Sequence, residues 1–155
     1  MRSSDIPTIV DGGASLVVAT VSEDGEPRAA RAWATTVVDP EALRVRIAMA
    51  ADDDVAVGNL ATGTIALTAA DVRTLRSVQL KGRVVAVEPA TPADLQRVVE
   101  HSDRFFDAVH ETDGNPLPLL RRLLPHRVVA VELSVDEAFD QSPGSDAGEA
   151  LGTPG

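Results

Sequence analysis

The chain reads as a mainly β protein with flanking helices, in which six strands in hairpin order close a small antiparallel barrel. Three observations carry that reading. The stretch from Leu75 to Glu88 alternates, with Val78, Leu80, Val84 and Ala86 on one face and Ser77, Gln79, Lys81 and Arg83 on the other. A period of two with β-branched residues marks a long strand with one face in a core. Before it, three apolar runs are joined by short polar turns, the pattern of an antiparallel meander. Strand–helix alternation and a glycine-rich first turn are both missing, which argues against a parallel nucleotide-binding sheet. The 155 residues suit one domain, assigned to 1–140, and with aromatics at 3% its core must come from Val, Leu, Ile and Ala.

Taken in order, Ile6 to Val10 predicts a turn of helix broken by Asp11-Gly12-Gly13. Ala14 to Val21 is the first strand, and Ser22-Glu23-Asp24-Gly25 a hairpin turn whose glycine can take a positive φ. Pro27 to Val38 is the second strand, with alternation that puts Arg31, Trp33 and Thr35 on one face. Leu43 to Met49 is the third. Asp52-Asp53-Asp54 then opens a short helix ending at Gly63, its acids suited to the positive end of the helix dipole. Thr64 to Ala69 is the fourth strand and the long alternating stretch the fifth. Thr91 caps a long helix with Pro92 in its first turn, and Leu95, Val98, Val99, Ser102, Phe106 and Val109 form its apolar face. A short helix with Leu117, Leu120 and Leu124 follows Asn115-Pro116, and Val128 to Val135 is the last strand. Residues 141–155 are rich in Ser, Pro, Gly, Asp and Ala, which predicts a mobile C-terminal tail.

A formal net charge of -10 argues against nucleic acid and anionic membrane surfaces as partners, since both call for a basic patch. No apolar run approaches the roughly 20 residues of a membrane span. Met1 to Asp5 leads into no apolar stretch of signal-peptide type, so a cytoplasmic address is expected. Without cysteine there is no disulfide or thiol chemistry. Asp52, Asp53 and Asp54 are a poor metal site, because consecutive carboxylates do not converge on one point. His101, His110 and His126 lack paired metal-ligand spacing, and no serine stands in a Gly-x-Ser-x-Gly setting.

The order of several motifs resembles the pyridoxamine 5'-phosphate oxidase-like proteins, the FMN-binding split barrels. They are Gly25-Glu26-Pro27, Val57-Gly58-Asn59-Leu60 before Thr64-Ile65-Ala66-Leu67, and Arg76-Ser77-Val78-Gln79-Leu80-Lys81-Gly82. Ala30-Arg31-Ala32-Trp33 and Phe139-Asp140-Gln141-Ser142-Pro143-Gly144 are similar to an uncharacterised bacterial branch of that family. The resemblance spans about Ala14 to Phe139 and implies a six-stranded antiparallel split β-barrel that forms a homodimer with small-molecule sites at the subunit interface. It implies FMN as cofactor, or a deazaflavin in the same groove, and a flavin-dependent oxidoreductase whose substrate the motifs do not specify. It places Arg31, or else Arg28, at the flavin phosphate and Ser77 at the ring.

The basic and hydroxyl cluster that holds the phosphate in such proteins does not carry over. Its positions fall near Met49, Asp53, Asp54 and Val55. A phosphate there meets up to three carboxylates, so FMN is doubtful in its usual mode. The alternative is a dimeric barrel that has lost the phosphate site and binds another small molecule without catalysis. Arg76, Lys81 or Arg31 are the other candidates for an anion. Trp33 reads either as a platform for a planar ligand or as a core or interface tryptophan. Gln79, with Ser77 and Lys81, reads either as a polar wall or as a solvated strand face.

Overall fold

The chain is described here by a computed structural model covering residues 1–152. Its strands are β1 (Ser15–Val21), β2 (Pro27–Asp39), β3 (Arg44–Ala50), β4 (Thr64–Ala70), β5 (Ser77–Pro89), β6 (Val128–Asp140) and the two-residue β7 (Ala150–Leu151). The helices are α1 (Ile6–Val10), α2 (Asp54–Gly58), α3 (Pro92–Asp113) and α4 (Leu117–Leu120). All pairings are antiparallel, in the order β3-β2-β1-β4-β5-β6-β7. A further β3–β6 ladder, running from Arg44↔Ser134 to Ala50↔Val128, closes the six long strands into a barrel.

Alternation fills the interior. Leu16, Val18, Val45, Ile47, Met49, Ile65, Leu67, Val78, Leu80, Val131 and Leu133 are all at or below 1% exposure. The short α1 adds Ile6, Ile9 and Val10 to the same cluster, and the Thr35 hydroxyl donates to the Val10 carbonyl. At the β1–β2 hairpin, Gly25 takes the expected positive φ, +83°, and its N–H donates to the Ser22 carbonyl. The close crossing of β5 and β6 depends on another glycine. Lys81 pairs with Glu137 but Gly82 with Val135, so Asp136 is bulged out of β6. A Cβ on Gly82 would lie 1.9 Å from the Ser134 carbonyl oxygen. Arg83 then reaches the bulged Asp136 with two hydrogen bonds of 3.1 Å.

The long helix is capped as expected. Thr91 Oγ1 accepts from the Asp94 N–H, and the Asp94 carboxylate accepts from the Thr91 N–H at 2.8 Å. Its buried face, however, is turned from the one that apolar spacing predicts. Leu95 and Val99 are 51% and 54% exposed, while Asp94 and His101 lie against the barrel. Asp94 and the Nε2 of His101 have partners there that offset part of the cost of burial, while the buried His101 Nδ1 has none among the described residues. Arg46 of β3 holds Asp94 in a two-pronged pair at 2.7 and 2.8 Å, and its Nη1 reaches Glu88 at 2.9 Å. The Arg46 hydrogen bonds hold the Asp94 carboxyl well below the usual carboxylate range, against the opposing effect of burial. His101 Nε2 sits 2.8 Å from the Ala14 carbonyl oxygen. Burial lowers its pKa to about 4, so the neutral ring must carry its proton on Nε2.

The C-terminal segment also departs from its composition. Up to Gly152 it folds back on the barrel: β7 pairs Leu151 with Ala138 and Ala150 with Phe139. Gln141 N–H donates to the Ser77 carbonyl, and Ser77 N–H to the Ser142 hydroxyl. Backbone pairing and the buried Leu151 give an ordering drive that residue composition does not register. Residues 153–155 of the expected tail lie outside the described residues.

Gly82→Ala should lower stability by about 1–3 kcal/mol in chemical denaturation, because the β5–β6 crossing has no room for a methyl. His101 yields a pH prediction. Its folded pKa lies below the ordinary 6.5, so between about 6.5 and 4 the unfolded chain holds more protons. Stability should therefore fall by up to roughly 3 kcal/mol as pH drops through that window. Melting curves of His101→Gln should show a flatter pH dependence there.

Candidate functional site

Helix α3 covers the outer face of β2 and β3, and the register shows what the other strands present outward. One row across the sheet reads Arg31, Val17, Thr68, Gln79, Phe139. The next reads Ala29, Ala19, Ala66, Lys81, Glu137. The three adjacent alanines make a flat, low platform, with Val17 left 37% exposed beside it. A groove of about 680 Å³ runs along this face, lined by Ala19, Val21, Thr64, Ala66, Lys81 and Arg83 among others. Gln79 Nε2 donates weakly to Thr68 Oγ1 at 3.4 Å. Lys81 has no carboxylate within 4 Å among the described residues; its ammonium lies 4.7 Å from the centre of the Phe139 ring.

A second, shallower groove of about 430 Å³ lies at the start of α2, lined by Arg28, Ala30, Arg31, Ala50, Asp52, Asp53, Asp54 and Val55. Asp53 caps the helix: Oδ1 accepts from the Ala56 N–H at 3.0 Å and Oδ2 from Arg28 Nε at 2.8 Å. Those two contacts, the backbone one first, hold its carboxyl below the usual range. Asp52 accepts from the His126 N–H at 3.1 Å, and Arg127 comes within 3.9 Å of both Asp52 and Asp54. Arg31 instead donates to Ser15 Oγ at 3.3 Å and lies over the Phe105 ring.

The architecture has counterparts among solved structures. An FMN-binding protein from Syntrophomonas wolfei superposes with a TM-score of 0.56 at 12% identity, covering 88% of this chain and 84% of its own. An F420 reductase superposes at 0.54 with 16% identity, covering 84% and 93%. A candidate pyridoxamine 5'-phosphate oxidase from Lactobacillus delbrueckii superposes at 0.52 with 19% identity, covering 87% and 91%. The chain has the FMN-binding split-barrel fold. No family model and no curated protein matches the sequence.

Within this split barrel, the residues singled out from sequence fall into three places. Arg31 reaches the α2 groove, together with Arg28 and the aspartates. Gln79 and Lys81 stand on the open face, in adjacent rows. The others lie apart from either groove's open wall. Arg76 is paired with Asp5 at 2.7 Å. Ser77 is 8% exposed, and its backbone N–H and carbonyl are both taken by Ser142 and Gln141. Trp33 is 5% exposed and meets Phe106 edge to face, ring centres 6.0 Å apart, in a satellite cluster with Leu120. Its burial comes from α3, whose Phe106 packs on it, and a bulge in β2 changes the faces beyond it. Ala32 pairs with Met49 but Ala34 with Ala48, so Trp33 is the extra residue and Thr35 joins the inner face rather than that of Arg31. Reading β2 as plain alternation misses this. Sequence reasoning also passed over Ala19, Ala29 and Ala66, whose small size marks the platform only once register brings them side by side.

The α2 groove does not fit the phosphate of FMN. Arg28 and the Ala56 N–H are already taken by Asp53, Asp52 and Asp54 flank the pair, and Arg31 donates to Ser15 instead. No helix among the described residues is long and apolar enough to cross a membrane, and no cluster of three His, Cys, Asp or Glu has metal-site geometry there. Trp33→Ala should cost about 3–5 kcal/mol in urea unfolding, as a buried aromatic does, whereas Arg31→Ala should stay within about 0.5 kcal/mol of the parent.

Proposed function

We propose that the chain is a homodimeric oxidoreductase that binds a flat heteroaromatic ring of the flavin or deazaflavin class in a groove completed by a second copy. One observation carries the reading: the open sheet face sets a polar edge, Gln79 and Lys81, beside the flat platform of Ala29, Ala19 and Ala66. A planar ring suits the low platform, and amide and ammonium donors suit the carbonyl edge of such a ring. Small side chains on neighbouring strands also let a second sheet approach closely, which supports self-association on this face. Named neighbours of the same fold include an FMN-binding protein and an F420 reductase, which favours this ligand class. The redox chemistry belongs to the ring, and the chain's part is to bind and orient it.

A second reading has one specific observation behind it. The Asp53–Arg28 pair closes the phosphate position, which suits a non-catalytic dimer that binds some other small molecule.

A visible spectrum of the purified protein, then titration with riboflavin, FMN and a deazaflavin followed by ligand fluorescence polarisation, separates the two. The oxidoreductase reading expects saturable binding, weakened roughly tenfold or more by Lys81→Ala, a loss of about 1.4 kcal/mol. Indifference to all three rings would leave the non-catalytic reading. Sedimentation should show a dimer that Ala19→Arg splits, since the new side chain stands up from the platform.

A further inference from the structure

The α2 groove holds two arginines and three aspartates, a formal sum of -1. Within it the side chain of Asp53 makes both contacts an external anion would seek, one to the Arg28 guanidinium at 2.8 Å and one to the Ala56 N–H at 3.0 Å. Arg28 is thereby a satisfied cation. Arg31, the other arginine, donates to Ser15 Oγ at 3.3 Å and lies over the Phe105 ring. An arriving phosphate dianion would have to displace Asp53 from Arg28 and leave that carboxylate beside it, with Asp52 and Asp54 close by.

We infer that Asp53 is a built-in anion that fills the phosphate position of this split barrel, so that the protein selects the unphosphorylated form of its ligand over the phosphorylated one. The selection comes from repulsion as well as from lost attraction: Arg28 is already paired with Asp53, and the groove sets three carboxylates against two arginines. The inference rests on the flavin-class reading above for the identity of the ring. The occupation of Arg28 stands apart from it.

Two probes separate these. The first is inorganic phosphate with no flavin present, compared with chloride at matched ionic strength in thermal melts of the full chain. The parent should show no phosphate-specific rise in Tm. Asp53→Asn keeps a good helix cap while removing the charge, so it should fold, free Arg28 and gain such a rise. The second is the affinity ratio of FMN to riboflavin. Riboflavin should bind the parent at least as tightly as FMN, and Asp53→Asn should move the ratio about tenfold toward FMN. Phosphate stabilisation of the parent that Arg28→Ala abolishes, or FMN binding the parent tenfold more tightly than riboflavin, would overturn the inference. So would an Asp53→Asn protein that gains neither. If no flavin binds either protein, the ring assignment fails, and the phosphate melts alone decide the role of Asp53.

Discussion

Closure of the barrel by the β3–β6 ladder is the constraint on which the other features depend. Once Arg44 to Ala50 pair with Val128 to Ser134, none of the six long strands is left as a free sheet edge, and the inner faces enclose one aliphatic core. Little else can enter, so the helices must lie outside or at an end. The short α1 takes an end, giving Ile6, Ile9 and Val10 to the interior. The long α3 takes the outer face of β2 and β3, where Arg46 and Asp94 fix its first turn. One helix of this length cannot cover the whole exterior. The outer faces of β1, β4 and β5 stay open, and that is where the larger groove lies.

Closure also sets local demands that explain particular residues. Two long strands that bend across each other need bulges, and β6 supplies one at Asp136 opposite Gly82. The missing side chain at Gly82 lets the Ser134 carbonyl approach, and Arg83 pairs with the carboxylate pushed outward. In β2 the corresponding device is the bulge at Trp33, which leaves that ring on the outer face under α3 and turns Thr35 inward. The scarcity of aromatics is consistent with that layout: Trp33, Phe105 and Phe106 sit together between sheet and helix, outside the core.

Much of the fold was legible because its signals are periodic or local. Alternation from Val78 to Val84, the Gly25 turn, and the Thr91 cap with Pro92 each depend on a few neighbouring residues, and each stands where expected. Beyond Val84 a register shift pairs Ala86 with the outward Glu132, so Ala86 leaves the face expected for it. What was not legible depends on partners distant in sequence. The face α3 buries was misjudged because Asp94 and His101 are polar, and only Arg46 and the Ala14 carbonyl make their burial tolerable. The segment after Gln141 was read as a tail because nothing in its composition announces that Ser77 and β6 will pair with it. The site was half legible. Arg31 and the aspartates do share a groove, but the alanine platform exists only through register across four strands.

The distribution of charge links the two grooves. In a chain of net charge -10 an arginine readily finds a carboxylate, and Arg28, Arg46, Arg73, Arg76, Arg83 and Arg97 each have one within 3.1 Å. Lys81 stands in the same acidic surroundings, with Glu137 opposite it in the register, yet lies over Phe139 with no ion pair among the described residues. An ammonium in that position keeps its donors available, whereas Arg28 already has a carboxylate partner in Asp53. The two grooves therefore differ in charge balance: at α2 three carboxylates stand against two arginines, one of them paired with Asp53, whereas Lys81 on the open face holds its ammonium over the Phe139 ring.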